Sequence, residues 1–157
     1  MSRARSFSDG QFFEDFEPGD VYLSSPVDFT EDEIVAFAKR YDPQPFHTDP
    51  VAAAKSQFGG LIASGLQVMA ECFAVLIRDG FLAETGMGSP GLDEVRWHKP
   101  VRPGDSLRMR CIVLERRPSD TRPDRGYVTV RFEALNQREE IAMSYRCVEI
   151  VRRRAAD

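Results

Sequence analysis

The chain has 157 residues, of which 42% are hydrophobic and 29% are charged, and its formal net charge is −4. These values are typical of one globular domain, and the acidic balance argues against a nucleic-acid-binding protein, which usually carries a basic face. No apolar run approaches the ~20 residues that a membrane-spanning helix needs, and the N-terminus lacks the apolar segment of a secretory signal. We therefore expect a single cytoplasmic domain over residues 1–157, with no membrane or nucleic-acid partner.

Cysteine and histidine are too few and too scattered to predict a metal site. The three cysteines, Cys72, Cys111 and Cys147, form no CxxC pair, and neither they nor the two histidines have the spacing of metal ligands. An odd number of widely spaced cysteines favours reduced, buried thiols. We expect no bound metal.

The first predicted elements are a short strand and a helix. Residues 21–23 alternate as a strand does, after a Pro-Gly turn. Thr30 and Glu33 form a capping-box pattern, and the apolar residues that follow recur at helical spacing as far as Tyr41. Pro43 is expected to end this helix, because the residue before a proline avoids the α region.

Two more helices are predicted around the loop YDPQPFHTDP, residues 41–50. Asp49 is a good N-cap and Pro50 suits the first position of a short helix, which the glycine pair at 59–60 is expected to end. The stretch LIASGLQVMAECFAVLIRDG, residues 61–80, predicts a long helix with almost no charge. Because it is apolar on nearly every side, we expect it to be buried.

From residue 92 the pattern changes to that of strands. Four strands are predicted within residues 92–101, 106–117, 126–137 and 139–153, and the second alternates apolar and polar residues as half-buried antiparallel strands do. A helix that is apolar all round needs cover on several sides. The expected fold is therefore α+β, with a curved antiparallel sheet wrapped around a long central helix.

The two ends of the chain are expected to lie outside the core, which we place at about residues 20–150. Three phenylalanines near the N-terminus are interpreted as packing residues rather than as a ligand site. The arginine run at residues 152–154 is interpreted as a solvated end.

The segment YDPQPFHTDPVAAAKSQFGGLIASG resembles the signature of the MaoC-like dehydratases, the (R)-specific enoyl-CoA hydratases with a hot-dog fold. The stretch KPVRPGDSL, residues 99–107, also resembles a Pro-Val-x-x-Gly-Asp turn common in that family. Gln44 departs from the pattern, because the family usually has Asn at this position. The residues that match the signature in order are Asp42, Pro45, His47, Asp49, Ala52, Ala53, Phe58 and Gly65.

The resemblance implies reversible hydration of a 2-enoyl-CoA or acyl-carrier thioester to a 3-hydroxyacyl thioester. Such a reaction needs a water for the β-carbon, a proton for the α-carbon and donors for the thioester oxygen. Asp42 and His47 are the predicted acid–base pair, acting through one shared water. Gly65, at the start of the long helix, is predicted to offer its N–H to the oxyanion. Ser64 and Gln44 are further candidates for contact with the substrate, and no cofactor is required.

Other functions remain open at this point. Taken singly, Asp42 suits a turn and His47 suits a structural role, and only their joint match with Gly65 favours catalysis. Hot-dog folds also house acyl-CoA thioesterases, and a non-catalytic acyl-thioester-binding module is a third alternative. A hydrolase triad with Ser64 is disfavoured, because no GxSxG surrounds that serine. Open sheet edges predict a homodimer or a higher homo-oligomer. The sequence does not indicate the length of the acyl chain, whether its carrier is CoA or an acyl carrier protein, or the physiological direction of the reaction.

Overall fold

A computed structural model describes residues 3–8 and 11–155 of the chain. The strands are β1 (Arg3–Ala4), β2 (Asp20–Leu23), β3 (Val27–Asp28), β4 (Leu92–Trp97), β5 (Ser106–Pro118), β6 (Arg125–Leu135) and β7 (Ile141–Arg152). The helices are α1 (Glu31–Tyr41), α2 (Pro45–Thr48), α3 (Pro50–Ala54) and α4 (Gly65–Arg78), and a 3-10 turn spans Phe13–Asp15.

The strands form one sheet in the order β1-β2-β5-β6-β7-β4, with β3 paired to β5. All neighbours are antiparallel except β1 and β2. Alternate residues of β5 are buried, as predicted, and they share one apolar core with the inner face of α4. The predicted α+β arrangement, an antiparallel sheet that covers a long helix, is confirmed. Within the described residues, no helix is long and apolar enough to cross a membrane.

Helix α4 differs from the prediction in length and in burial. It spans Gly65–Arg78 rather than residues 61–80, and it begins at the glycine that the site prediction placed at its start, where the Ser64 side chain accepts a hydrogen bond from the Leu66 amide and caps the helix. The sheet covers only one side of it. Leu66, Phe73 and Ile77 are 52%, 41% and 37% exposed, so the expectation of a helix buried on every side was wrong.

Packing also extends beyond residues 20–150. Phe13 and Phe16 are buried in the core, and two residues of the arginine run form ion pairs with acidic residues of the 3-10 turn, Arg153 with Glu14 and Arg154 with Asp15. The arginine run was expected to be a solvated end, but these ion pairs hold part of it against the domain. Residues 1–2, 9–10 and 156–157, which were also placed outside the core, lie outside the described residues. The three cysteines are buried and unpaired, as expected.

Strand β4 is one edge of the sheet and contains a bulge. Its register with β7 shifts between Asp93 and Arg96, and Glu94 has a φ of +56°. A bulge inserts a residue and redirects the side chains that follow it. After the shift, Trp97 lies opposite Met143 and contacts the start of α4.

Candidate active site

The loop at residues 41–50 is shaped by three local signals. Helix α1 ends at Tyr41, as Pro43 predicted, and the Asp42 amide donates to the last turn. Pro45 then opens the single turn of α2, so the two prolines do not keep the whole loop extended. This turn directs His47 into the interior. The predicted cap of α3 is confirmed, since the Asp49 carboxylate accepts from the first amides of that helix.

His47 is held in one orientation. Its Nδ1 lies 2.7 Å from the carbonyl oxygen of Ile62. Because a carbonyl only accepts, Nδ1 carries a proton and donates it there. The Phe46 ring packs edge-on against the imidazole, with 4.5 Å between ring centroids. The other nitrogen, Nε2, therefore faces Asp42, whose Oδ2 is 3.2 Å away.

Asp42 is held by two donors. Its Oδ2 accepts a hydrogen bond of 2.6 Å from the Ser64 hydroxyl, and its Oδ1 accepts one of 2.7 Å from the Gln44 amide. Burial acts to raise the pKa of Asp42, but these two hydrogen bonds and the neighbouring His47 together lower it below its ordinary value. Asp42 is therefore a carboxylate at neutral pH and accepts hydrogen bonds from Ser64 and Gln44.

Ser64 connects this pair to the long helix. It is fully buried, donates to Asp42 and accepts from the Leu66 amide at 3.2 Å. Its single proton is directed at the carboxylate, so the contacts fit an orienting role. The Gln44 amide likewise contacts Asp42, which is the bracing role open to an amide at the position where the family usually has Asn.

Gly65 is the first residue of α4 and lies against an aromatic ring. A Cβ built at this position would be 2.5 Å from two atoms of the Trp97 indole, so any larger residue would require the ring to move. The indole Nε1 donates to the Gly65 carbonyl at 3.0 Å. No acceptor for the Gly65 N–H is found among residues 3–8 and 11–155. This donor lies at the positive end of the helix dipole.

One cavity of about 400 Å³ brings these groups together. All five predicted site residues line it, together with residues that were not predicted to contact the substrate: Phe46, Phe58, Trp97, His98 and Lys99. His98 lies at this cavity, and its Nε2 is 2.7 Å from the Ser144 hydroxyl. The sequence signal that could have placed His98 at the site is its position directly before the Lys-Pro-Val motif. The described ranges contain no cluster of three His, Cys, Asp or Glu side chains that could hold a metal.

Comparison with known proteins gives consistent results. The family model described as "MaoC like domain" matches residues 15–136. The protein YdeM of Bacillus subtilis (strain 168) is 33% identical over 126 residues, which are 80% of this chain and 88% of YdeM. A MaoC-like dehydratase from Rhodospirillum rubrum has a solved structure with a TM-score of 0.87 and 41% identity, over 94% of this chain and 100% of that one.

A second solved structure, the R-hydratase PhaJ1 of Pseudomonas aeruginosa, has a TM-score of 0.72 and 25% identity, over 92% of this chain and 86% of that one. These neighbours confirm the predicted hot-dog fold. The family match spans most of the chain and includes the loop of Asp42 and His47 and the start of α4. The chain belongs to the MaoC-like dehydratase family.

Proposed function

We propose that the protein is a hydro-lyase that adds water reversibly to a 2-enoyl-CoA, or to the same acyl group on an acyl carrier, and forms a 3-hydroxyacyl thioester. The observation that carries this proposal is the meeting of Asp42, His47 and the Gly65 amide at one cavity. The family membership and the similarity to an R-hydratase support it. A cytoplasmic location, predicted from the sequence, is part of the proposal.

The first step is attack of water on the β-carbon. Asp42 Oδ2 and His47 Nε2 are 3.2 Å apart and both border the cavity, so one water molecule has room to contact both. The water oxygen forms a bond to the β-carbon while one of its protons passes to Nε2. The Asp42 carboxylate stabilises the resulting imidazolium. The electron pair of the carbon–carbon double bond moves towards the thioester, which becomes an enolate.

The second step is protonation of the α-carbon. The enolate oxygen carries the developing negative charge, and the Gly65 N–H at the start of α4 is the donor proposed to stabilise it. His47 Nε2 then gives its proton to the α-carbon, which restores the neutral imidazole. The sum is one water added across the double bond. Ser64 and Gln44 hold Asp42 throughout and do not contact the reacting carbons in this scheme.

The test incubates the protein with crotonyl-CoA and measures two quantities in the same sample, the absorbance of the enoyl group and the release of free thiol. A hydratase lowers the absorbance of the conjugated enoyl group and releases no thiol, whereas a thioesterase releases CoA, which a thiol-reactive dye detects. Asp42→Asn is expected to lower kcat by about 10²–10⁴-fold, since it removes a group that assists proton transfer.

Asp49→Asn is the matched control. It makes the same chemical change in the same loop, but Asp49 only caps α3 and asparagine caps equally well. Its activity is expected to stay near that of the wild type. Thiol release that keeps pace with the absorbance change, and that Asp42→Asn abolishes, would establish a thioesterase instead.

A further inference from the structure

A second cavity, of about 380 Å³, lies between α4 and β7. Its helical wall is a stripe of residues at spacings of three and four, which lie on one face of α4. Its other walls come from β7 and from the chain that leads into β4. The lining residues are Leu66, Met69, Ala70 and Phe73 of α4, Tyr145, Cys147 and Glu149 of β7, and Gly88, Ser89 and Leu92.

This cavity adjoins the proposed catalytic cavity at one residue. Leu66 lines both of them, and it directly follows Gly65, whose N–H is the proposed donor to the thioester oxygen. From Leu66 to Phe73 the stripe runs seven residues, or about 10 Å, along α4. An acyl chain whose carbonyl is held at Gly65 therefore has an apolar path along this face of the helix.

The far wall of the path carries a carboxyl group. Glu149 is 8% exposed and lies on the inner face of β7, where its cross-strand neighbour is Val128. Nowhere in the described ranges does a cationic side chain pair with it. Burial raises the pKa of Glu149, and the neighbouring Cys147 thiol offsets this only in part. The carboxyl group therefore lies in largely apolar surroundings beside the cavity, without a cationic partner in those ranges.

Two more polar side chains, Ser89 and Cys147, line this cavity. The Ser89 hydroxyl lies 2.9 Å from the Cys147 sulfur, and both residues line the same cavity. The rest of the wall is apolar apart from the Tyr145 hydroxyl. An unbranched, methyl-terminated chain would leave the Glu149 oxygens facing hydrocarbon, which is unfavourable for any buried polar group.

We propose that the second cavity holds the distal part of the acyl chain and that this chain carries a hydroxyl group, which hydrogen bonds with Glu149. The inference rests on the proposed function, because the path begins at the thioester-binding Gly65. A hydroxyl suits this carboxyl group, since it can donate to a carboxyl oxygen and brings no charge into an apolar cavity. An ammonium group would instead need an ionised carboxylate in apolar surroundings, which burial disfavours.

The experiment uses pairs of 2-enoyl-CoA thioesters of graded length, one of each pair ending in a methyl group and the other in a hydroxymethyl group. At the length that reaches Glu149, kcat/KM is expected to be about tenfold higher for the hydroxylated substrate, the effect of one net hydrogen bond. Glu149→Leu is expected to reverse this preference. Glu149→Gln is expected to keep most of it, because an amide also donates and accepts.

Glu115→Leu is the control, because Glu115 is an exposed carboxylate elsewhere in the sheet and its loss should leave the preference unchanged. Calorimetric binding of the saturated acyl-CoA pairs gives the same ratio without catalysis. If no enoyl thioester is hydrated, the proposed function fails while the binding ratio still decides this inference. Equal affinity of the wild type for both members of every pair would overturn it, and so would a preference for a terminal ammonium group.

Discussion

At the scale of single residues, Ser64 is the connection between the acid–base pair and the helix start. Its hydroxyl donates to Asp42 and accepts from the Leu66 amide, so it fixes the carboxylate relative to the N-terminus of α4. Both contacts arise from a serine in a cap position, which is where short polar side chains bond to free backbone amides. The orientation of Asp42 therefore depends on how α4 begins.

Ser64→Ala is expected to lower kcat by roughly tenfold to a hundredfold with a smaller effect on KM, because Asp42 loses a donor that orients it. The same bond lowers the pKa of Asp42, so its loss should move the acidic limb of the kcat/KM profile to higher pH. Ser64→Thr, which keeps the hydroxyl, should return the acidic limb of the profile to the pH of the wild type. A profile unchanged in Ser64→Ala would mean that the serine is only a helix cap.

Glu149 predicts a pH dependence of stability. Its pKa in the folded chain is raised above the ordinary value of 4.5, so its neutral form is favoured by folding. Below that value the carboxyl is protonated in both states. As pH rises, the unfolded chain ionises first, and the wild type loses stability relative to Glu149→Gln until the raised folded pKa is passed. Urea unfolding at a series of pH values measures this difference. A difference in unfolding free energy between the two proteins that does not vary with pH would contradict the pKa shift that burial causes.

At the scale of elements, local signals were predictable and non-local pairings were not. The start of α1 at Thr30 and the cap of α3 at Asp49 follow from side chains that bond to their own helices. The alternation in β5 likewise showed which face is buried. Strands β1 and β3 are two residues long and exist only through their neighbours, so no pattern in their own sequence could indicate them.

The candidate site likewise contains residues that could be predicted from the sequence and residues that could not. Asp42, His47 and Gly65 were predicted because the one continuous segment that contains them resembles the family signature. Trp97 reaches Gly65 only through the bulge in β4, and Glu149 faces α4 only through the register of β7 with β6. Both are consequences of strand pairing, which a single sequence does not specify.

Gly65→Ala tests the close contact at the start of α4. The added methyl would meet the indole of Trp97, which is half exposed and free to move aside, so the fold should persist. The displaced ring and the new methyl would obstruct the Gly65 N–H. We expect kcat to fall by about 10²–10³-fold, as when an oxyanion donor is removed, with little change in unfolding free energy. Trp97→Ala in the same chain should restore part of the activity by making room. Full activity in Gly65→Ala alone would exclude the proposed donor.

At the scale of the whole molecule, one side of the fold has an open sheet edge beside an uncovered apolar surface. Strand β4 is the last in the sheet, and Leu92 and Trp97 on it are exposed, as are Phe73 and Ile77 of α4. Unpaired edges and large apolar patches are commonly covered by another chain. The predicted homodimer would use this side.

Light scattering at micromolar concentration is expected to give at least twice the mass of the chain. Ile77→Glu should shift the protein towards the monomer by placing a charge in the interface. Leu114→Glu is the control, since Leu114 is similarly exposed at 42%, but on β5 and away from this edge. A monomeric wild type would contradict the prediction.

The contact between Trp97 and Gly65 also supplies a built-in optical signal. Trp97 is the chain's single tryptophan, so all indole emission comes from a ring that touches the proposed thioester site. A ligand that reaches the Gly65 amide must change the polarity around this half-exposed ring or move it. Titration of the unlabelled protein with a saturated acyl-CoA should therefore shift the emission maximum or its intensity, and the shift should disappear in Trp97→Phe. Binding at this site can be measured by fluorescence alone, before any substrate has been identified.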